Sequence, residues 1–303
     1  MEELKQRPKL SVYMITYNNE RTLEKALRSV TWADEIVVVD SFSTDRTVEI
    51  GRKFTDRVVQ RPWPGFRDQY QYAADLTIHE WIMFVDADEE VSRELAQEIR
   101  KVVNKDGDGK DGFIVYRQTY YLGRWIRYGG WNPDYEIRLY RRDKGRWEGG
   151  LHAKVVVSGK VGSLTNPYLH DTYRDISDQI LKMDRYSGIA AEDMLKEGKK
   201  FSLLKLLFHP IFRFVKEYLL KSGFRDGVPG LIIITATMFY VFMKYAKLWE
   251  LTRSTTASQS FESGVGRHRS GSTLSPRPFV QSSVEGSDQG AERLSRTQKG
   301  EEK

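Results

Sequence analysis

The feature that most constrains the fold is a series of short hydrophobic runs that each end in a polar or acidic side chain. Three such runs are Leu10 to Thr16, Glu35 to Asp40 and Trp81 to Val85. Their β-branched and aromatic residues are typical of buried strands. The first run is followed by a helix-like pattern that continues to Val30, and the second run is followed by another that starts near Arg46. This alternation predicts an α/β sheet with crossover helices.

Polar side chains stand where these predicted strands end. The first strand is followed by Thr16-Tyr17-Asn18-Asn19-Glu20, the second ends at Asp40, and the third is followed by Asp86-Ala87-Asp88. Each group alone is typical of a helix cap or an acidic helix N-terminus. In open α/β sheets, however, ligands bind at the carboxyl ends of the strands. Together the three groups predict a nucleotide pocket, and the acidic pair suits Mg²⁺ or Mn²⁺ shared with substrate phosphates.

Several classes of site are excluded by residues that the sequence lacks. The 303 residues include no cysteine, so disulfides, thiolate metal sites and a cysteine nucleophile are impossible, and a reducing, cytosolic setting is expected. Met1 to Lys9 has no apolar stretch typical of a secretory signal. No dinucleotide fingerprint or phosphate-loop motif is present. Asp106 to Gly112 resembles a calcium loop, but Lys110 and Arg117 occupy ligand positions, so we expect a solvated turn.

The net charge of +6 is concentrated in one segment. Lys199 to Asp226 contains seven cations and two anions, interspersed with apolar residues. This composition predicts a pair of basic amphipathic helices, broken near Pro210, on an anionic membrane surface. Because the charge does not form a polar stripe, nucleic-acid binding is not expected.

An uncharged segment follows immediately, from Gly227 to Met243. Its seventeen residues fall just short of the ~20 that a bilayer-spanning helix needs. A shallow, re-entrant or tilted segment is therefore at least as well supported as a span, and a buried core helix is the alternative. From about Thr252 the composition turns to Ser, Gly, Arg, Glu and Gln, which predicts a disordered tail over 252–303.

The strand-end motifs resemble the three signatures of family 2 glycosyltransferases, and the similarity continues to residue 251. Within the family these residues resemble the subgroup that includes the bacterial lipopolysaccharide core glucosyltransferases. The residues that carry the resemblance are Thr16 to Glu20, Val39 to Thr47, Asp86 to Glu89, Gly123 to Trp125, Gly129 to Asp134, Arg138 to Arg142, Glu148 to His152, His170 and Lys244 to Glu250.

The resemblance implies a GT-A type fold, a Rossmann-like mixed sheet flanked by helices, followed by membrane-associated helices. It implies that Asp86 contacts the nucleotide and that Asp88 and His170 bind the divalent cation, Mg²⁺ or Mn²⁺. The residues that it assigns to the nucleoside of a UDP-sugar donor are Thr16, Tyr17, Glu20 and Asp40.

Family members of this type invert the anomeric carbon by single displacement, which needs a general base for the acceptor hydroxyl. Asp134 and Glu148 are the candidates. Aromatic residues of the same region are candidates to stack on acceptor sugars, and its arginines to pair with acceptor phosphates. These residues are Tyr120, Trp125, Tyr128, Trp131, Arg124, Arg127, Arg138, Arg141 and Arg142.

The expected organisation is a GT-A domain over 1–175, a basic helical membrane region over 176–251 and the tail. Within the GT-A domain, 9–100 would form the nucleotide-binding half and 113–175 the acceptor half. The expected function is transfer of a sugar, glucose first among the candidates, from a UDP-sugar to a lipid-linked saccharide such as the lipopolysaccharide inner core. The expected location is the cytoplasmic face of the bacterial inner membrane. Open alternatives are a polyprenyl-phosphate or capsular acceptor, and a non-catalytic membrane adaptor.

Overall fold

The computed structural model describes residues 7–150 and 153–264. Residues up to Ser258 belong to one compact unit, and of the second unit, Gln259–Lys303, the structure describes only the end of the last helix. In the described ranges the strands are β1 (Leu10–Thr16), β2 (Glu35–Asp40), β3 (Val58–Gln60), β4 (Trp81–Phe84), β5 (Glu89–Val91), β6 (Gly112–Tyr121), β7 (Arg124–Trp125), β8 (Asp134–Arg141), β9 (Gly145–Glu148), β10 (Lys154–Val157), β11 (Val161–Ser163) and β12 (Tyr168–Asp171). The α-helices are α1 (Leu23–Arg28), α2 (Thr47–Arg52), α3 (Phe66–Asp75), α4 (Arg93–Asn104), α5 (Ile176–Lys196), α6 (Leu203–Val215) and α7 (Gly227–Gly264).

A mixed sheet forms the centre of the molecule, with strand order β3-β2-β1-β4-β8-β6-β12-β5. The strands β1 to β4 are parallel, as the alternation of strands and helices predicts. Antiparallel pairing begins where β8 joins β4 and β6 joins β8. The strands β9 and β10 form a separate two-stranded sheet. The α/β expectation is confirmed, and β1 and β2 have the predicted bounds.

Both faces of the sheet are covered, because successive side chains of a strand point to opposite faces. In β1, Val12 and Met14 belong to a core that includes residues of α1 and α4. Tyr13 belongs to a second core with residues of α3 and with Trp147 of β9. Burial on both faces explains why β1 and β2 read as nearly continuous hydrophobic runs.

The turn after β4 determines where the acidic residues lie. The chain leaves β4 through Asp86 and Asp88 and then enters β5, which pairs antiparallel with β12. In this register Glu89 lies opposite His170. On its other side β12 runs parallel to β6, where His170 lies opposite Thr119. The sheet therefore brings residues more than 80 positions apart in sequence to one edge.

The C-terminal helices differ from the prediction at two points. The predicted break at Pro210 is wrong, because α6 runs through this proline and a π-helical turn, Lys216–Leu220, continues it. A proline inside a helix removes one N–H donor and crowds the carbonyl four residues earlier, and α6 accommodates both effects at Pro210. The chain instead turns at Ser222, whose φ is 55°. The predicted tail starts at Thr252, whereas α7 continues to Gly264; residues 265–303 lie outside the described residues.

The turn between α6 and α7 is bonded to the loop after β7. The buried Asp226 carboxylate accepts hydrogen bonds from the backbone N–H groups of Arg127 (3.0 Å) and Tyr128 (2.8 Å). The N–H of Gly129 donates to the Lys221 carbonyl at 3.1 Å. Gly130 lies so close to the Glu217 carboxylate that a Cβ would be 2.0 Å from its Oε1. This loop therefore has a fixed position on the C-terminal helices.

Candidate active site

The loops after β1 and β2 are joined by hydrogen bonds at the carboxyl edge of the sheet. Asn18 Oδ1 accepts from the Thr44 N–H at 2.8 Å, and the Asn19 N–H donates to Thr47 Oγ1 at 2.7 Å. The Arg46 N–H donates to Glu20 Oε2 at 3.2 Å. These hydrogen bonds join the loop after β1 and the loop after β2 into one unit, the double loop. Tyr17 and Glu20, which were predicted to lie together with Thr16, belong to it, and Thr16 is the last residue of β1 before it.

Asp40 is buried under this double loop and holds it through hydrogen bonds. Its buried carboxylate accepts hydrogen bonds from Thr16 Oγ1 (3.1 Å), Gln60 Nε2 (3.1 Å), the Ser43 N–H (2.9 Å) and the Ser43 hydroxyl. These donors compensate for the removal of the charge from water. Asp40 has a structural role here that the sequence did not predict, and its contact with a nucleoside stays a prediction.

Asp86 lies at the junction of the sheet and α3. The hydroxyl of Tyr70 donates a hydrogen bond to its Oδ1, and the Tyr70 ring stacks on Trp147 with centroids 4.1 Å apart. Arg138 Nη1 is 3.4 Å from its Oδ2. Burial and the charge of the neighbouring Glu89 raise the pKa of Asp86 to about 6, despite the opposing effect of Arg138.

Asp88 faces His170 across the end of the sheet. Its Oδ2 is 3.6 Å from His170 Nε2, and the other ring nitrogen, Nδ1, is 3.3 Å from Thr119 Oγ1. Burial alone would raise the pKa of Asp88, but His170, with smaller effects from Lys182 and Arg117, lowers it to about 2. A quarter of the Asp88 side chain is exposed, so an anionic oxygen ligand and an imidazole nitrogen face the same accessible space.

Glu89 and Arg138 form a buried ion pair beneath the acidic residues. Arg138 Nη1 and Nη2 bind the two Glu89 oxygens at 2.7 and 3.0 Å, and the exposed fractions of the two side chains are only 1% and 0%. Arg138 was expected to pair with an acceptor phosphate; this is corrected, because its guanidinium is enclosed by Glu89, Asp86 and Glu136. Arg141 lies at the other end of β8, where it pairs with Asp106 at 2.8 Å.

Arg117 connects this pair to Asp134. Its Nη1 is 3.3 Å from Glu89 Oε1, and its Nε donates to Asp134 Oδ2 at 2.9 Å. Asp134 is partly exposed and starts β8, so its carboxylate lies on the same edge of the sheet as the acidic pair. Glu148 ends β9, where its Oε1 accepts from Arg146 Nε at 2.6 Å. The structure thus links Asp134, but not Glu148, to the acidic residues through ion pairs between described side chains.

Comparison with known proteins shows to which family the chain belongs. The model of glycosyl transferase family 2 matches residues 11–157. The lipopolysaccharide core biosynthesis glycosyltransferase LpsC of Rhizobium meliloti (strain 1021) is 31% identical over 254 residues, which is 80% of this chain and 92% of LpsC. The chain belongs to glycosyltransferase family 2. It is therefore an enzyme, a glycosyltransferase, and the expected GT-A fold is confirmed.

Other similar proteins cover comparable shares of this glycosyltransferase. An uncharacterized glycosyltransferase of Rickettsia typhi is 30% identical over 274 residues, 84% of this chain and 92% of its own. The solved structure of the mannosyltransferase PcManGT from Pyrobaculum calidifontis, in complex with GDP-Man and Mn²⁺, aligns with a TM-score of 0.47 at 14% identity. That alignment covers 81% of this chain and 88% of PcManGT.

Sequence reasoning assigned no role in this site to four of its residues: Tyr70, Glu89, Arg117 and Trp147. Only Glu89 carried a signal, because it directly follows Asp88 and a carboxylate beside a buried strand needs a cation partner. The other three lie on α3, β6 and β9 and reach the site only through tertiary contacts. Periodicity along the chain contains no information about such contacts.

Proposed function

We propose that this glycosyltransferase transfers a sugar from a UDP-sugar to a saccharide carried on a lipid, with inversion at the anomeric carbon. Glucose is the proposed sugar and the lipopolysaccharide inner core the proposed acceptor. The observation that carries the proposal is the cluster in which Asp88 faces His170 while arginines link its neighbours to Asp134. The similarity to LpsC supports the choice of a lipopolysaccharide acceptor.

The donor would bind along the edge formed by the double loop and the acidic turn. Thr16, Tyr17, Glu20 and Asp40 would hold the nucleoside, and Asp86 would accept a hydrogen bond from it. Asp86 is suited to this role because Tyr70 and Arg138 fix its carboxylate. An ionised carboxylate accepts stronger hydrogen bonds than a protonated one, so binding through Asp86 would strengthen as the pH rises through its pKa of about 6.

Asp88 and His170 would hold the divalent cation. In the described part of the chain no group of three or more His, Asp or Glu side chains converges to hold a metal by itself. Two protein donors nevertheless fit a cation such as Mg²⁺ or Mn²⁺, since these ions usually take further oxygen ligands from substrate phosphates and water. When bound, the cation would neutralise charge on the leaving diphosphate.

Asp134 is the proposed general base. As the acceptor oxygen forms its bond to the anomeric carbon and the bond from that carbon to the UDP oxygen breaks, the Asp134 carboxylate would take the hydroxyl proton. Arg117 binds Oδ2 of Asp134 through both Nε and Nη2, which fixes the carboxylate in position. Glu148 remains the second candidate.

Docking on the membrane would bring the site to its lipid-borne acceptor. The described side chains of α6 and of the turns that follow it expose an apolar surface: Leu203, Leu204, Leu207, Phe208, Ile211, Phe212, Val215, Leu219, Leu220 and Phe224. The helical stretch Gly223–Arg253 is long and apolar enough to cross a membrane, and 28% of its most apolar window is buried. An apolar surface with basic flanks is typical of proteins at an anionic, cytoplasmic membrane face.

A thermal-shift titration with UDP, with and without Mn²⁺, tests the donor site. Ligand at about 100 times its Kd stabilises the native state by ~2.7 kcal/mol, which raises the Tm of a chain of this size by roughly 4 °C. We expect this shift in the wild type with Mn²⁺ and not in Asp88→Asn. Glu24→Gln, an exposed carboxylate on α1, is the matched control and should behave like the wild type.

A transfer assay with UDP-glucose separates the acceptors. The proposal predicts product on lipopolysaccharide core precursors but not on polyprenyl phosphate. Product only on the polyprenyl phosphate or on capsular saccharide would favour those alternatives. If UDP and Mn²⁺ leave the wild type unshifted, the metal-bridged donor site is refuted. The adaptor alternative has lost its support, because the chain belongs to an enzyme family.

A further inference from the structure

A pocket of about 380 Å³ lies beside the C-terminal helices, away from the acidic cluster. Its walls come from the end of α5, the start of α6 and the middle of α7. The side chains that determine its chemistry are Lys199, Lys200, Lys205, Lys244, Tyr240 and Tyr245. The predicted donor and base residues do not line this pocket.

The positive charge of the pocket exceeds its negative charge. Its two carboxylates, Asp193 and Glu197, have cation partners: Lys196 is 3.8 Å from Asp193, and Lys199 is 2.5 Å from Glu197. The lysines at 200, 205 and 244 form no ion pair with the described side chains. Cations that are gathered in one pocket without carboxylate partners attract an anion.

Two further features favour a phosphate over a smaller anion. Lys205 lies in the first turn of α6, where backbone N–H groups and the helix dipole favour negative charge. Lys244 is half-buried, and its Nζ lies 5.4 Å from the centroid of the Tyr245 ring. The Tyr245 hydroxyl is hydrogen-bonded to His209 Nδ1 at 3.0 Å, which leaves the lysine ammonium groups and the Tyr240 hydroxyl as donors for the oxygens of one tetrahedral anion.

The apolar surroundings indicate what carries this phosphate. Leu203, Leu204, Leu207 and Phe208 are on the same helix as Lys205, and all four are exposed. A free anion would gain nothing from these side chains. A lipid presents both a phosphate and hydrocarbon, so it matches both parts of the surface.

We propose that this pocket binds the anionic phosphate group of a membrane lipid. The proposal rests on the proposed membrane docking and adds to it a defined site for a head group. General attraction between basic helices and an anionic surface depends only on the number of cations near the membrane. A defined site instead makes Lys205 and Lys244 more important than exposed lysines outside the pocket.

A pair of double variants tests this distinction in the full chain. Lys205→Gln/Lys244→Gln changes the pocket, whereas Lys216→Gln/Lys221→Gln removes the same charge from exposed positions between α6 and α7. Both are measured by co-sedimentation with phosphatidylglycerol vesicles. We expect the pocket variant to bind about tenfold more weakly than the control variant, because charge-assisted hydrogen bonds in a pocket exceed exposed attraction. A UDP shift like that of the wild type shows that each variant is folded.

Acylation of Lys244 by an amine-reactive reagent, followed by mass spectrometry, identifies the source of the phosphate. Phosphatidylglycerol vesicles should protect Lys244, and neither phosphatidylcholine vesicles nor millimolar inorganic phosphate should. Equal protection by inorganic phosphate would overturn the lipid assignment. Equal vesicle binding by the two double variants would overturn the pocket while leaving membrane docking intact. If the wild type binds no vesicles, the docking itself is refuted and the pocket proposal with it.

Discussion

Glu89→Gln removes one charge from the buried pair beneath the site and keeps the shape of the side chain. In the wild type both Glu89 oxygens bind Arg138, and one of them also lies 3.3 Å from Arg117. Burial alone would raise the pKa of Glu89, but Arg138 and Arg117 lower it, so the carboxylate is ionised in the folded protein at neutral pH. The substitution leaves a fully buried guanidinium without its main partner.

The size of the effect follows from these contacts. Loss of one partner from a buried ion pair costs about 3–5 kcal/mol. Asp86 and Glu136 also face Arg138, at 3.4 and 2.9 Å, and Asp86 ionises more readily once Glu89 is neutral. Because these carboxylates still compensate part of the Arg138 charge, we expect a loss of stability at the lower end of this range, about 3 kcal/mol. For a chain of this size that corresponds to a fall in Tm of roughly 5 °C.

The assay is the thermal unfolding of the detergent-purified chain at neutral pH. Glu24→Gln is the control, because Glu24 pairs with Arg28 in an exposed i,i+4 arrangement whose loss should cost less than ~0.5 kcal/mol. Glu89→Leu/Arg138→Met removes both charges and should be more stable than Glu89→Gln alone. If Glu89→Gln lowers the Tm no more than Glu24→Gln does, the pair does not stabilise the fold as argued.

Three further predictions concern single groups. Tyr70→Phe removes one hydrogen bond to Asp86 and should weaken UDP binding by about 1 kcal/mol in calorimetry; unchanged affinity would exclude Asp86 from the donor site. Asp134→Asn should lower kcat about 10²–10⁴-fold with UDP affinity unchanged, and if Glu148→Gln has this effect instead, Glu148 is the base. Burial would raise the pKa of Glu98, but hydrogen bonds from Thr165 and Asn166 lower it. Its stabilisation is therefore present above pH ~4.3 and lost as the pH falls through its lower folded pKa, so the Tm difference between wild type and Glu98→Gln should shrink in acid.

Three of the four parallel strands, β1, β2 and β4, could be predicted because they are buried on both faces, whereas the short, partly buried β3 was not predicted. Glu35–Asp40 is hydrophobic at every position between its acidic ends, and all six residues are buried. A run of this kind has few alternatives to a central strand. The end of the strand then locates Asp40, and the same reasoning located Asp86 and Asp88.

The remainder of the site depends on pairings between distant strands. His170 reaches Asp88 only because β12 inserts between β6 and β5, and nothing in the local pattern around His170 indicates this. The resemblance to the family suggested the pairing, and the structure places the two side chains together. For Arg138 the expectation from the sequence was wrong, because the sequence around a charged residue in a strand does not show whether that residue faces solvent or a buried partner.

The bonding of the loop at Arg127–Gly129 to Asp226 and Lys221 has a consequence for where the proposed base lies relative to the membrane. Asn132, which lies two positions before Asp134, donates a hydrogen bond from its side-chain amide to the Ile126 carbonyl at the start of the same loop. With α6 and α7 docked as proposed, Asp134 would stand at a constant height above the bilayer. A substitution that breaks the Asp226 hydrogen bonds would therefore change the position of Asp134 relative to a lipid-borne acceptor, although Asp226 lies outside the acidic cluster.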